Sequence, residues 1–151
     1  FTTTNGTLAM MHCKLASQVV IGSFVNLAAV VAHLAKQHHG RAVHLLCAGT
    51  GRNVTREDTL CAGAIVHGLQ DYIGDETVRN DQTTLALDAW RAVLRGQEQI
   101  TPTQLQLELR NTQGGRNLQR IGLDADLADC AALDRYSLVP ELKLAEWKIV
   151  G

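Results

Sequence analysis

The sequence predicts an α/β protein of three layers, α/β/α, built on a mainly parallel or mixed sheet, with a helix-rich second half. Two short apolar runs, residues 19–22 and 42–48, are rich in the residues found in strands buried on both faces. Each run precedes a turn and then a segment whose apolar residues recur at helical spacing. Strand, turn and helix that alternate in this way are typical of parallel sheets with crossover helices.

The first half of the chain alternates between strands and helices. Ser23 can cap a helix, and Thr55 and Asp58 have the spacing of a capping box. The turn at residues 5–7 should lead into a helix and not a hairpin partner, because the residues after it lack strict alternation. The predicted elements are the tail of a strand at 1–4, helices over 8–15, 24–35 and 55–69, strands over 19–22 and 42–48, a helix end at 38–40 and a glycine-rich turn at 49–53.

The second half is predicted to be mainly helical and to end in two short strands. Pro140 weakens the first of these strands, because proline cannot donate to a sheet. The predicted helices cover residues 83–94, 101–110, 115–121 and 126–133, and the strands cover 138–142 and 146–150.

Composition indicates one folded domain, residues 1–151, and excludes several functional classes. The 46% hydrophobic content with only two prolines argues against disorder. Lysine plus arginine number 14 against 15 aspartate plus glutamate, without a basic run, which argues against nucleic-acid binding. The longest apolar run, residues 27–32, is too short to span a membrane. The sequence leaves open whether the chain forms a homo-oligomer.

The four cysteines indicate reduced thiols in a cytoplasmic protein. They form no CxxC pair, and each lies in an apolar segment. This arrangement favours thiols of the core over a disulfide framework.

Residues 2–7 are a candidate anion site. Four threonine hydroxyls, Asn5 and Gly6 lie where a strand would meet a helix N-terminus. Hydroxyl and backbone N–H groups in such a turn can bind phosphate. The alternative is an Asn-Gly hairpin turn, and the local chemistry does not decide between them.

The glycine-rich segment at residues 47–52 resembles two known phosphate loops, but each comparison fails. A cysteine-nucleophile phosphatase loop would need one more residue between Cys47 and Arg52. A dinucleotide fingerprint needs a third glycine where Val54 stands. What remains is a turn in which Thr50 and Arg52 can face an anion.

Glu57 and Asp58 place two carboxylates in the first turn of the helix after this loop. Such oxygens suit Mg²⁺, which also takes water and substrate phosphate as ligands. The alternative is that acidic residues favour helix N-termini through capping and the helix dipole. Arg116 and Arg120 are one helical turn apart, so they either bind an anion together or face water.

Several segments, taken in order and spacing, resemble the 2-phosphosulfolactate phosphatase family over nearly the whole chain. They are residues 2–7, 21–26, 47–50, 57–64, 114–118, 122–127 and 139–140.

This resemblance implies a three-layer α/β enzyme that uses Mg²⁺ to hydrolyse 2-phosphosulfolactate, or a related small anionic phosphate ester, in the route to coenzyme M. It also implies the roles of individual residues. Thr4, Asn5, Gly6 and Thr7 would bind the phosphate, Gly49 and Thr50 would form a second cradle, and Glu57 and Asp58 would be catalytic and lie near the metal. A substrate with three anionic groups also requires cations, for which Arg52, Arg116 and Arg120 are the local candidates.

The chain departs from the family pattern at its start. The Asp-Val-Leu-Arg-Ala and Gly-Glu-Arg patterns of the family do not occur, and the sequence begins with Phe1 and not with methionine. We therefore expect the chain to be the C-terminal part of a longer phosphatase and to have little or no activity alone. The alternative is a non-catalytic module that binds a small anion or a nucleotide.

Overall fold

Helices form most of the chain in the computed structural model, which describes residues 3–37, 40–73 and 79–151. Each helix in these ranges is too short or too polar to cross a membrane. The α-helices are α1 (Thr4–His12), α2 (Leu27–Gln37), α3 (Arg56–Ile73), α4 (Asp81–Leu94), α5 (Pro102–Arg110), α6 (Gln113–Arg120) and α7 (Asp126–Cys130). A 3-10 helix (Phe24–Asn26) precedes α2, and two strands, β1 (Glu141–Lys143) and β2 (Lys148–Val150), end the chain.

The predicted α/β/α architecture with a parallel or mixed sheet is wrong. Within the described ranges the sheet consists of the antiparallel β1–β2 hairpin, in which Leu142 pairs with Ile149. Residues 42–48 belong to no strand, and Val43 and Leu46 are 40% and 54% exposed. The physical reason is that a strand exists only through hydrogen bonds to a neighbouring strand, which a short apolar run does not itself provide.

Residues 19–22, the other predicted buried strand, form a single antiparallel contact. Val20 and Glu141 make an isolated bridge. The N–H of Ile21 donates to the carbonyl of Pro140 at 2.8 Å. This segment therefore extends the terminal hairpin by one bridge and has no parallel neighbour in the described part of the chain.

The helices predicted in the second half are confirmed, and α4, α5 and α6 have capped N-termini. Asn80, Thr101 and Thr112 each accept a hydrogen bond from the backbone N–H three residues further on. Such caps satisfy N–H groups that have no partner within the helix. Helix α7 ends at Cys130 and not at residue 133 as predicted.

The start of the chain becomes helical earlier than predicted. Helix α1 begins at Thr4, so the predicted strand tail is wrong at this residue, while residues 1 and 2 lie outside the described ranges. The side chain of Thr3 caps the helix by accepting from the N–H of Gly6 at 3.1 Å. The prediction that residues 5–7 lead into a helix is confirmed. Part of the predicted helix end at 38–40, residues 38 and 39, lies outside the described ranges.

Helix α3 packs against both α2 and α4 and contributes to two apolar clusters. Leu60 and Ala64 belong to a cluster shared with α4, α5 and α7, which includes the buried Trp90. Ile65 and Leu69 belong to a second cluster shared with α2. Because α3 packs into both clusters, its orientation is fixed, and so is the position of its first turn.

The contact between α3 and α4 leaves no room for a side chain at Gly63. A Cβ atom there would overlap the carbonyl oxygen of Ala86 and lie 2.9 Å from the Cβ atom of Trp90. At Gly68, in the same helix, a Cβ atom would meet the methyl groups of Val31 at 3.0 and 3.3 Å. Side-chain methyl groups can move aside, whereas the α4 backbone cannot.

We predict that Gly63→Ala destabilises the chain by about 1 to 3 kcal/mol more than Gly68→Ala, the usual range for overpacking. Both changes bring the same gain in helix propensity, so Gly68→Ala is a matched control. Urea denaturation measures the free energy of unfolding of each variant. Equal stability of the two variants would contradict the close α3–α4 contact.

Candidate functional site

The first turn of α3 carries the two predicted catalytic carboxylates, Glu57 and Asp58. Thr55 lies just before the helix and is 2% exposed, and its carbonyl accepts from the N–H of Thr59 at 3.1 Å. The Thr55 hydroxyl donates to Asp58 Oδ2 at 3.0 Å. The two residues of the predicted capping box are therefore joined side chain to side chain.

Asp58 also holds the glycine-rich turn at residues 49–53. The N–H of Gly49 donates to Asp58 Oδ2 at 2.6 Å. Hydrogen bonds to a charged acceptor are about twice as strong as those between neutral groups. Within the turn, Thr50 and Asn53 exchange backbone N–H···O bonds of 3.1 and 3.0 Å. The turn and the start of α3 are thereby joined through one carboxylate.

The backbone of this turn is left-handed at Gly49, Gly51 and Arg52, with φ of 66°, 58° and 67°. At Gly49 a Cβ atom would lie 2.5 Å from the carbonyl oxygen of Asn53, so only glycine fits there. Arg52 adopts the same conformation at a cost of roughly 1 to 2 kcal/mol for a residue with a Cβ atom. Its side chain is exposed.

Helix α1 reaches the same turn through Asn5, whose Oδ1 atom accepts from the N–H of Gly51 at 3.4 Å. Two other residues of α1 that were predicted to bind phosphate, Gly6 and Thr7, make hydrogen bonds to Thr3 at the start of the helix. The N–H of Gly6 is bound by Thr3, and the hydroxyl of Thr7 accepts from the N–H of Thr3 at 3.3 Å. The structure therefore brings Asn5 to the glycine-rich turn and places Thr4, Gly6 and Thr7 in the first turn of α1.

Glu57 contacts a residue that the sequence analysis did not assign to the site. Its Oε1 atom accepts from the N–H of Gly114, in the first turn of α6, at 3.1 Å. Its Oε2 atom is buried and has no hydrogen-bond partner among the described residues. The available signal was the Gly114-Gly115 pair at a helix start, where glycine is a poor helix former.

The structure does not gather the predicted cations at one point, and the described residues form no cluster of metal ligands. Arg116 Nη1 donates to the carbonyl of Asn111 at 2.6 Å, so its guanidinium is already bound to α5–α6 backbone. The side chains of Arg52 and Arg120 are exposed. Within residues 3–37, 40–73 and 79–151, no group of three or more His, Cys, Asp and Glu side chains is placed to hold a metal ion.

Two cysteine thiols lie within the electrostatic influence of Asp58. Burial first, and then the negative charge of Asp58 and the neighbouring thiol of Cys47, raise the pKa of Cys61 to about 12. Cys47 is an exposed residue, but partial burial of its thiol raises its pKa, and Asp58 adds to the shift. The expectation that all four cysteines belong to the core is wrong for Cys47 and Cys130, which are both exposed. Cys47 lies in the segment that forms no strand, and Cys130 lies on α7, which buries Leu127 instead.

We predict that Asp58→Asn makes Cys47 react roughly two- to tenfold faster with iodoacetamide near neutral pH, since loss of the negative charge lowers its pKa. The rate is measured by peptide mass spectrometry. Cys130 is an internal control, because burial, Asp126 and Asp129 raise its pKa and Asp58 does not. An unchanged Cys47 rate would show that Asp58 does not lie beside this thiol.

Comparisons with known proteins agree with the resemblance found in the sequence. A family profile described as 2-phosphosulpholactate phosphatase matches residues 1–145. A probable 2-phosphosulfolactate phosphatase of Synechocystis is 36% identical over 139 residues, covering 92% of this chain and 54% of that protein. A protein of the same description from Symbiobacterium thermophilum is 35% identical over 143 residues, covering 93% and 55%.

A third relative, from Pseudothermotoga lettingae, is 31% identical over 139 residues and has the same description. The match covers 92% of this chain and 54% of the relative. The chain thus spans about half the length of the curated relatives it matches. The extent of the profile match shows that the chain belongs to the 2-phosphosulfolactate phosphatase family.

Proposed function

We propose that the full-length gene product is a Mg²⁺-dependent phosphatase that hydrolyses 2-phosphosulfolactate, or a related small phosphate ester, to sulfolactate and phosphate. Its place would be the biosynthesis of coenzyme M in the cytoplasm, where thiols such as the exposed Cys47 stay reduced. The observation that carries the proposal is the contact between Asp58, one of the two predicted catalytic carboxylates, and the glycine-rich turn, made by the bond from the Gly49 N–H to Asp58.

The substrate chemistry requires a site rich in cations and N–H groups. A phosphosulfolactate carries a phosphate, a carboxylate and a sulfonate, and charged acceptors of this kind need charge-assisted hydrogen bonds. The turn at residues 49–53 supports such binding through the exposed side chain of Arg52. The N–H groups of its other residues already have acceptors within the chain. Thr50 in this turn and Asn5 beside it are the polar residues that we assign to the ester. In the same proposal, Thr4, Gly6 and Thr7 contribute from the first turn of α1.

The carboxylates of α3 are compatible with Mg²⁺, although they do not form a closed metal cage. Mg²⁺ keeps several waters and takes one or two carboxylates together with substrate phosphate. Glu57 Oε2 fits this role, because it is buried without a hydrogen-bond partner among the described residues. Asp58 has committed Oδ2 to two donors, which leaves Oδ1 for a further contact. When bound, the ion would neutralise phosphate charge.

The protein groups supply the proton transfer. In hydrolysis an oxygen of water forms a bond to phosphorus, the bond from phosphorus to the ester oxygen breaks, and the attacking water loses a proton. Glu57 or Asp58 is assigned to accept that proton, since a carboxylate positioned by fixed hydrogen bonds acts as a general base. The leaving oxygen takes up a proton as the alcohol forms.

A second candidate function is a non-catalytic module that binds a small anion or nucleotide. It is favoured by the structural use of both carboxylates, because Asp58 binds Thr55 and the N–H of Gly49, and Glu57 binds the N–H of Gly114. Incubation of the full-length gene product with phosphate esters separates the candidates. Phosphate release that requires Mg²⁺ and is fastest with 2-phosphosulfolactate supports the enzyme, whereas saturable binding without release supports the module.

We predict that Asp58→Asn lowers Mg²⁺-dependent phosphate release about 100-fold or more, the scale usual for loss of a general base. Asparagine keeps an oxygen that can accept from Gly49 and Thr55, so the unfolding midpoint should change little. Phosphate release and thermal unfolding of the full-length gene product measure the two effects.

The matched control is Asp81→Asn, an exposed aspartate in the first turn of α4. It likewise removes a negative charge from the first turn of a helix and should leave turnover unchanged. If Asp58→Asn turns over at the rate of the parent, the role of Asp58 is only structural and its assignment to the site fails.

A further inference from the structure

Glu57 is attached to a part of the chain that is distant in sequence. The hydrogen bond from the Gly114 N–H to Glu57 Oε1, 3.1 Å long, joins the first turn of α6 to the first turn of α3. It restrains one of the two carboxylate oxygens and leaves Oε2 buried without a partner among the described residues. The orientation of Glu57 therefore depends on α6 as well as on its own helix.

The backbone of Gly114 lies so close to this carboxylate that a side chain on Gly114 would collide with it. A Cβ atom on Gly114 would lie 2.6 Å from Glu57 Oε1, 3.0 Å from Cδ and 3.5 Å from Cγ, and these are its three nearest neighbours. A separation of 2.6 Å is below normal contact, so the side chain of Glu57 would have to move. Glu57 is thus the residue that a Cβ atom on Gly114 would displace, because all three nearest atoms belong to it.

The conformation of α6 does not itself require glycine at position 114. Gly114 lies within α6, and its backbone is not in the left-handed region that favours glycine. Any ordinary residue other than proline forms a helix more readily. The adjacent Gly115 has a different reason, because a Cβ atom there would overlap the backbone carbonyl of Leu109.

We propose that Gly114 is a positioning residue of the site: its N–H and its lack of a side chain hold Glu57 so that Oε2 faces the reacting groups. This inference rests on the proposed function, because it gives Oε2 a task there. Gly114 touches neither substrate nor metal in this assignment and acts only through Glu57. Residues that orient a reactive or ligating group in this way are typically worth about 10- to 100-fold in metal affinity or activity.

The test compares Gly114→Ala with Gln113→Ala in the full-length gene product. Gln113 is the exposed neighbour in the same turn of α6, so it controls for changes in that helix. Gly114→Ala should weaken Mn²⁺ or Mg²⁺ binding, measured calorimetrically without substrate, and lower kcat, each by about 10-fold or more. The KM for the ester and the unfolding midpoint should change little, and Gln113→Ala should match the parent in every measurement.

Combination with Glu57→Gln shows whether Gly114 acts through Glu57. If it does, adding Gly114→Ala to Glu57→Gln should cause little further loss, because the carboxylate is already gone. A full additional loss, or parental metal binding and turnover by Gly114→Ala alone, would overturn the positioning role. If the parent binds the ion but releases no phosphate, the proposed function fails while the calorimetric comparison still tests Gly114. If the parent binds no divalent ion, both proposals fail.

Discussion

The close approach of α3 to α4 at Gly63 is the constraint on which the rest of the structure depends. Because a Cβ atom at this position would overlap the carbonyl of Ala86, the two helix backbones pack at a separation that only glycine permits. This contact orients α3 so that Leu60 and Ile65 enter separate apolar clusters. The same orientation places the first turn of α3 beside the glycine-rich turn and α6.

Local sequence signals predicted the helices but could not predict the absence of a sheet. A capping residue such as Ser23 and apolar residues at helical spacing act within one segment, so they can be read from the sequence alone. Strand formation at residues 42–48 depends on hydrogen bonds from a separate segment, which the sequence does not specify. The same limit explains why residues 19–22 were expected beside a parallel neighbour and instead bridge Glu141.

The contacts of the candidate site also differ in whether they join residues near one another in sequence, which can be predicted, or residues far apart, which cannot. Gly49, Thr55 and Asp58 are near one another in sequence, so their association could be predicted from a capping pattern that follows a glycine-rich turn. The bond between Glu57 and Gly114 joins residues 57 positions apart in the chain, and it depends on how α5 and α6 fold back on α3. No local pattern contains that information, although a glycine pair at a helix start indicates a close contact.

The two carboxylates show why acidic residues, and not neutral caps, suit this position. A serine or threonine that caps a helix uses its single oxygen, whereas a carboxylate has two oxygens and can bind a backbone N–H with one of them. Asp58 accepts both of its hydrogen bonds at Oδ2, and Glu57 accepts from Gly114 at Oε1. Each residue thereby fixes a neighbouring segment and retains an oxygen outside these bonds. Structural and chemical roles at Glu57 and Asp58 are therefore not alternatives, because one geometry allows both.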